Sequence, residues 1–152
     1  MSATSATPSR QEVLSVVRRF VDTANSGDLQ ASIATHSTDT VVHFPGLPLM
    51  TFEAWKPFVL SYFSAFPDLR INVNWEDAII EGNRLASPYT MTGTHLGDLM
   101  GIPATGRKIS VFGINIFYIR DGKIVEEWDL NDGVGLLQQL GVIPAPDALP
   151  VG

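Results

Sequence analysis

The sequence predicts an α+β fold in which a curved antiparallel sheet wraps around helices to form a cone with an apolar interior. Two observations support this prediction. In the first part of the chain the apolar residues recur mainly at helical spacing, and the second part consists of long strand-like segments separated by turn residues. Helices followed by a series of strands are typical of α+β domains, whose helices cover one face of an antiparallel sheet.

Local signals define the predicted elements. Ser9 and Glu12 have the spacing of a capping box, and the helix that follows can end at Gly27 in a left-handed conformation. Asp28 is the expected cap of a short second helix, and a third helix is expected after Thr51. Strands are predicted at residues 40–44, 69–77, 84–94, 108–119 and 124–130, and a last helix is predicted at 134–140.

Composition limits the possible functions. The 152 residues suit one domain over 1–152, with loosely held ends at 1–8 and 143–152. A net charge of −6 with scattered basic residues argues against nucleic-acid and anionic-membrane partners. The sequence has no cysteine, and it shows neither a secretory signal nor an apolar run long enough to span a membrane. We therefore expect a cytoplasmic protein.

The predicted strand at 108–119 is apolar on both faces. Val111 and Phe117 lie on one face, and Phe112, Ile114 and Ile116 lie on the other. One face can cover the helices and line a pocket, but the other also needs a cover and no helix remains to provide it. The sequence therefore predicts a homodimer formed through the outer face of the sheet.

Four segments carry a family resemblance: residues 66–69, 93–106, 121–129 and 135–141. Through them the chain resembles the SnoaL-like polyketide cyclases over nearly its whole length. The resemblance implies the nuclear-transport-factor-2-like fold. For the best-known members it also implies ring closure of a polyketide ester by intramolecular aldol condensation, with a small hydrophobic carbonyl compound as substrate and no metal or organic cofactor. The same fold hosts isomerases, dehydratases, epoxide hydrolases and binding modules, so fold alone does not settle function.

Asp129 is the expected catalytic residue, and by resemblance it matches the acid/base of the cyclases. It lies on a strand between Trp128 and Leu130, and desolvation in an apolar pocket would raise its pKa toward the range useful for proton transfer. If the protein is an enzyme, we expect Asp129 to have this raised pKa in a closed pocket. A binding protein that stores a hydrophobic ligand predicts an ordinary exposed carboxylate at Asp129.

Two further polar residues are expected beside Asp129. Asn115 lies among apolar residues, and its amide could hold Asp129 or donate to a developing oxyanion. The best-known cyclases of this family carry a histidine at this position. The asparagine of this chain can still form hydrogen bonds but cannot relay a proton. Glu127 has the strand parity of Asp129 and would either raise its pKa further or pair with an arginine such as Arg70 or Arg84.

The register of the last hairpin decides whether these residues meet. A three-residue loop at 120–122 pairs Asn115 with Glu127, gathers both with Asp129 on one face, and leaves Ile124 on the other. A two-residue turn would instead pair Asn115 with the residue before Asp129 and separate them, because a one-residue slip reverses every facing. The sequence analysis favours the three-residue loop.

Three histidines and an aromatic stripe complete the candidate residues. His43 is expected to point into the pocket as a donor, His95 to brace its loop or lie at the pocket rim, and His36 to lie at the surface. Within the stripe of the third helix, Trp55 and Phe63 are expected to face the ligand. The histidines lack the close spacing of common metal motifs, so no metal site is predicted.

Overall fold

The computed structural model describes residues 6–148 and confirms the α+β prediction. The loosely held ends expected at 1–8 and 143–152 lie partly outside the described residues. Within the described range, no helix is both long and apolar enough to cross a membrane. The helices of this range are α1 (Arg10–Asn25), α2 (Leu29–Ile33), α3 (Phe52–Ala65) and α4 (Gly133–Gln139). Its strands are β1 (His36–His43), β2 (Met50–Thr51), β3 (Arg70–Val73), β4 (Ile79–Glu81), β5 (Arg84–Thr94), β6 (Lys108–Arg120) and β7 (Lys123–Asn131).

The helix ends follow the predicted local chemistry. The Ser9 hydroxyl accepts from the Glu12 amide at 3.1 Å, and the Glu12 carboxylate accepts from the Ser9 amide at 3.0 Å, so the capping box is confirmed. Gly27 adopts a positive φ of 84° just after α1. The side chains of Asp28 and Thr51 cap α2 and α3 as expected.

The strands form one curved sheet in the order β2-β1-β7-β6-β5-β3, with β4 also paired to β5. The pairing of β1 with β7 is parallel, which corrects the prediction of a wholly antiparallel sheet. The chain leaves β1, passes through α3 and the other strands, and returns as β7 in the same direction; parallel neighbours need such a long crossover. Strands β2 and β4 were not predicted because two or three residues are too short to show an alternating pattern.

The core lies between the inner face of the sheet and the helices. Val42 of β1, Phe117 of β6 and Ile124 of β7 are buried in it against the apolar stripe of α1. A second apolar cluster, around Phe66 and Leu136, lies beyond the end of α3. Burial of these groups is the main stabilising contribution and fixes which sheet face points inward.

The β6–β7 hairpin corrects the predicted register. It closes through a two-residue turn, Asp121 and Gly122, with positive φ angles of 51° and 71°. The ladder then shifts by one residue at Val125, a β-bulge, so that Asn115 pairs with Asp129 rather than with Glu127. Asn115, Glu127 and Asp129 nevertheless lie on one face of the sheet, as expected.

The same bulge changes the facing of one apolar residue. Ile124 was expected on the outer face, but it pairs with Ile119 and is fully buried on the inner face. Because the bulge adds one residue to β7, the residues before and after it follow opposite parities. A strictly alternating strand could not have placed Ile124, Glu127 and Asp129 on the same face.

Candidate active site

An apolar cavity lies between α3 and the inner face of the sheet. It contains about 630 Å³ of atom-free space, counting the part that opens to solvent. Its wall is mostly aromatic and aliphatic, and its polar lining residues are Tyr62, Tyr89, Asn115, Glu127, Asp129 and Asn131. A second, more open cavity shares Asp129 and Asn131 with the first. Asp129 therefore lines both cavities.

The environment of Asp129 changes its acidity. The Tyr89 hydroxyl donates to Asp129 Oδ1 at 2.8 Å, and Asn115 faces Asp129 across the strand pair. Burial, and then the neighbouring Glu127 carboxylate, raise the pKa of Asp129 to about 7, although the hydrogen bonds from Tyr89 and Asn115 act in the opposite direction. A carboxyl group with this pKa is half ionised near neutral pH and can both accept and return a proton.

Tyr89 reaches Asp129 across an intervening strand. It lies on β5 directly opposite Gly113 of β6, and a Cβ atom at Gly113 would come within 2.4 Å of the Tyr89 ring. Glycine is therefore needed at this position for the tyrosine side chain to pass over β6 to Asp129 on β7. Burial and the charge of Asp129 raise the pKa of Tyr89, so its hydroxyl stays protonated and remains a donor.

Glu127 does not pair with Arg70 or Arg84. The Asn115 amide donates to Glu127 Oε1 at 3.0 Å, and His36 Nε2 lies 3.0 Å from Glu127 Oε2. Both side chains of the His36–Glu127 pair are almost fully buried. The expectation that His36 is a surface residue is wrong, because its ring packs between Phe20 and Trp55.

His43 lies on the opposite side of the sheet from the cavity. Its ring stacks on Trp128 with 3.7 Å between centroids, and its Nε2 lies 3.3 Å from Glu126. The expectation that His43 points into the pocket is therefore wrong. Val42 takes the inward position on β1, and alternation along the strand turns His43 outward.

His95 is buried in its loop and is not among the described residues that line the cavity, so of the two expected positions it braces the loop and does not lie at the pocket rim. The Thr105 amide donates to His95 Nδ1 at 3.1 Å, which closes the loop on itself. The amides of Leu96 and Gly97 both donate to the Ala65 carbonyl at 3.0 Å. The loop is thereby attached to the C-terminal end of α3.

The helix α3 supplies much of the cavity wall. Trp55 and Phe63 both line the cavity, as expected, although their contact with a ligand remains a prediction. Tyr62 also lines it, and burial followed by the charge of Asp129 raises the pKa of this tyrosine. Its hydroxyl therefore stays protonated and can donate to an oxygen atom of a ligand.

Comparisons with known proteins identify the family of this chain. Residues 15–140 match the pattern of the SnoaL-like polyketide cyclases. The chain belongs to this family. A curated relative, the aklanonic acid methyl ester cyclase DnrD of Streptomyces peucetius, is 31% identical over 147 residues, covering 84% of this chain and 90% of the relative.

Solved structures show that the SnoaL-like fold extends over most of the chain. AclR from Streptomyces galilaeus, provisionally assigned as a hydroxylase, superimposes with a TM-score of 0.81 at 30% identity, over 90% of this chain and 100% of that one. IdmH from Streptomyces antibioticus, provisionally assigned as a polyketide cyclase, gives a TM-score of 0.73 at 30% identity, over 85% and 98%.

Five residues of this candidate site were not assigned to it from the sequence: His36, Tyr62, Tyr89, Gly113 and Asn131. Gly113 carried a usable signal, since an isolated glycine within a long strand indicates a close approach by another group. Tyr89 shares the parity of the buried β5 residues Leu85 and Met91. His36 had no such signal, because a shift in register between His36 and Val41 interrupts the alternation of β1.

Proposed function

We propose that this protein catalyses cofactor-free proton transfer on a neutral carbonyl compound, with aldol ring closure of a polyketide ester as the reaction. The observation that carries the proposal is Asp129, a carboxyl group in an apolar cavity with its pKa raised to about 7. A storage protein has no need of such a group. The naming of the relative DnrD as an aklanonic acid methyl ester cyclase supports the choice of an ester substrate.

The proposed reaction begins at Asp129. Its carboxylate takes a proton from a carbon between two carbonyl groups, so that a C–H bond breaks and an O–H bond forms. The resulting enolate attacks a ketone in the same molecule, and the new alkoxide takes the proton back from Asp129. Tyr62 and Asn131, which line the cavity near Asp129, provide donors that can stabilise the negative charge on oxygen.

The charge of the cavity supports a neutral substrate. Among the described residues that line it, Glu127 and Asp129 are acidic and none is lysine or arginine. A free carboxylate or a phosphate would meet negative charge without a cationic partner and would lose its hydration. We therefore expect a methyl ester to bind more tightly than the corresponding free acid.

Two esters test the proposal: aklanonic acid methyl ester and nogalonic acid methyl ester, on which the curated relatives act according to their names. Ring closure is followed by liquid chromatography with mass spectrometry, and carbon deprotonation by deuterium uptake from D₂O. Replacement of Asp129 by Asn should lower both rates by roughly 10²–10⁴-fold, because the amide cannot accept the proton. In the wild type kcat/KM should rise with pH through about 7, as the carboxylate forms.

Glu126→Gln is the matched control, because Glu126 lies on the same strand but on the outer face. It should keep the wild-type rates. Wild-type turnover by Asp129→Asn would remove Asp129 as the base. Deuterium uptake without ring closure would point instead to an isomerase, and binding without deuterium uptake would point to a storage protein.

A further inference from the structure

Two carboxyl groups face the same cavity, and either could in principle receive the proton. Glu127 and Asp129 are two residues apart on β7 and share its inner face. Their partners differ. Asp129 accepts a hydrogen bond from the neutral hydroxyl of Tyr89, whereas Glu127 contacts the imidazole of His36.

The hydrogen bonds of His36 indicate its protonation state. Its Nδ1 lies 3.2 Å from Thr35 Oγ1, and the Thr35 hydroxyl already donates to the Ser32 carbonyl at 2.6 Å. The threonine oxygen is therefore left as an acceptor for Nδ1. His36 Nε2 faces Glu127 Oε2 at 3.0 Å, and an ionised carboxylate also accepts. Beside an ionised Glu127 both imidazole nitrogens would face acceptors, so the ring would carry a proton on each and be a cation.

The surroundings of the ring suit a cation. The Phe20 ring packs edge to face against His36 with 4.9 Å between centroids, and the Trp55 ring lies at 4.2 Å. A cation over the face of an aromatic ring is stabilised, and the tilted Trp55 ring is near enough to act in this way. A buried cation of this kind needs a nearby anion, and Glu127 is in contact with it.

We propose that His36 is a positioning residue: its imidazolium holds Glu127 as a permanent carboxylate, so that the proton removed from the substrate resides on Asp129. This inference rests on the proposed proton transfer and specifies which of the two carboxyl groups carries it. Asn115 joins the two sites, because its amide donates to Glu127 Oε1 while its backbone pairs with Asp129.

The fixed charge on Glu127 also changes the basicity of its neighbour. A permanent anion beside Asp129 disfavours a second negative charge there, in agreement with the raised pKa of Asp129. The other titratable groups that contact or face Asp129 are Tyr89 from β5 and Tyr62 from α3, both kept protonated by burial. The His43–Glu126 pair lies on the opposite face of the sheet.

A titration without substrate tests the inference. In the full-length protein, ¹³C-labelled carboxyl groups of Asp and Glu and ¹⁵N-labelled imidazoles are followed by NMR from about pH 5 to 9. In the wild type, the Glu127 signal should remain that of a carboxylate around neutral pH while His36 carries two protons. In His36→Gln, Glu127 should take up a proton and the Asp129 midpoint should fall by about one pH unit or more.

Glu127→Gln provides a second route should His36→Gln fold poorly, and it should lower the Asp129 midpoint as well. The matched control is His43→Gln, which breaks the equivalent outer pair and should leave Asp129 unchanged. A neutral His36 beside a protonated Glu127 in the wild type would overturn the inference. So would an unchanged Asp129 midpoint in both inner variants, or an equal change in the control.

The titration separates this inference from the proposed function. Proton positions are read without substrate, so they can be as expected even if neither ester reacts. Conversely, the esters could react through Asp129 while the titration shows no influence of His36. In that case the proposed function would stand and the role of His36 would fall.

Discussion

The two faces of β7 carry nearly identical chemistry in different surroundings. On the inner face His36 pairs with Glu127 at 3.0 Å, and the two side chains are 0% and 4% exposed. On the outer face His43 pairs with Glu126 at 3.3 Å, and the side chains are 24% and 33% exposed. Adjacent glutamates on one strand thus have the same type of partner, and they differ mainly in their access to water.

This difference teaches that burial, more than residue type, decides what an ion pair can do. The outer pair is solvated, so its net contribution to stability should be at most about 1 kcal/mol. The inner pair lies in a low-dielectric region, where a fixed charge acts strongly on its neighbours. The inner face is suited to proton chemistry, whereas the outer face carries exposed apolar side chains, among them Phe112, Ile114 and Trp128.

The largest effect that would sharpen the comparison concerns the pH dependence of folding. The pKa of Asp129 is raised from its ordinary 3.8 to about 7 in the folded protein. Between these values the folded protein binds a proton that the unfolded chain does not bind, so wild-type stability falls as pH rises through this range. Asp129→Asn should escape this loss and gain up to roughly 4 kcal/mol relative to wild type above pH 7.

Urea unfolding at a series of pH values measures this gain. The difference in unfolding free energy between Asp129→Asn and wild type should increase from about pH 4 to 7 and then level off. Glu126→Gln, the outer-face equivalent, should follow the wild-type curve. A constant difference across this range would mean that the aspartate is not held in a desolvated state.

The next effect concerns the outer face, where we propose that a second copy of the chain packs. Its large apolar side chains are 37–57% exposed in the single chain: Phe112, Ile114, Ile116, Trp128 and Leu130. A stable interface buries more than about 1,000 Å² in total, and this strand surface is the available candidate for it. Replacing Ile114 and Ile116 by Lys should weaken dimerisation at least about 100-fold, because two charges would be buried at the contact.

Sedimentation velocity of wild type and the double variant at micromolar concentration tests this proposal. The variant should sediment as a folded monomer and keep the Asp129 titration, since both substitutions lie across the sheet from the cavity. A monomeric wild-type protein at this concentration would contradict the proposed dimer.

A smaller effect is expected at Gly113, over which the Tyr89 side chain passes on the inner face. An added methyl group would meet the Tyr89 ring at 2.4 Å, so Gly113→Ala should displace Tyr89 and destabilise the fold by about 1–3 kcal/mol. Losing the Tyr89 hydrogen bond should also raise the Asp129 titration midpoint. Gly133→Ala is the control, because its added Cβ would meet nothing closer than 3.9 Å.

The hairpin shows which part of the site could be predicted from the sequence. The polar residues Asn115, Glu127 and Asp129 were correctly grouped on one face, because placing two carboxylates among bulky apolar groups would be unfavourable. The expected loop was nevertheless wrong. The two-residue turn and the bulge at Val125 together give the same facing, and burial preference constrains the facing without fixing where an extra residue sits.

The histidines show what could not be predicted. The assignments of both His36 and His43 were wrong. His43 turns outward because Val42 takes the inward position, whereas His36 is separated from the regular part of β1 by a shift in its register with β7 between His36 and Val41. Such an irregularity depends on the partner strand far away in the sequence. The helices, by contrast, were predicted well, since their caps are set by residues within one turn.

The attachment of the loop after β5 to helix α3 has a practical consequence. The amides of Leu96 and Gly97 share the carbonyl of Ala65, the last residue of a helix whose side chains form the cavity wall. A ligand that shifts this helix on binding must also change the geometry of these two hydrogen bonds. The hydrogen-exchange rates of these two amides should therefore report whether the cavity is occupied. They can be measured with any compound before its reaction is known.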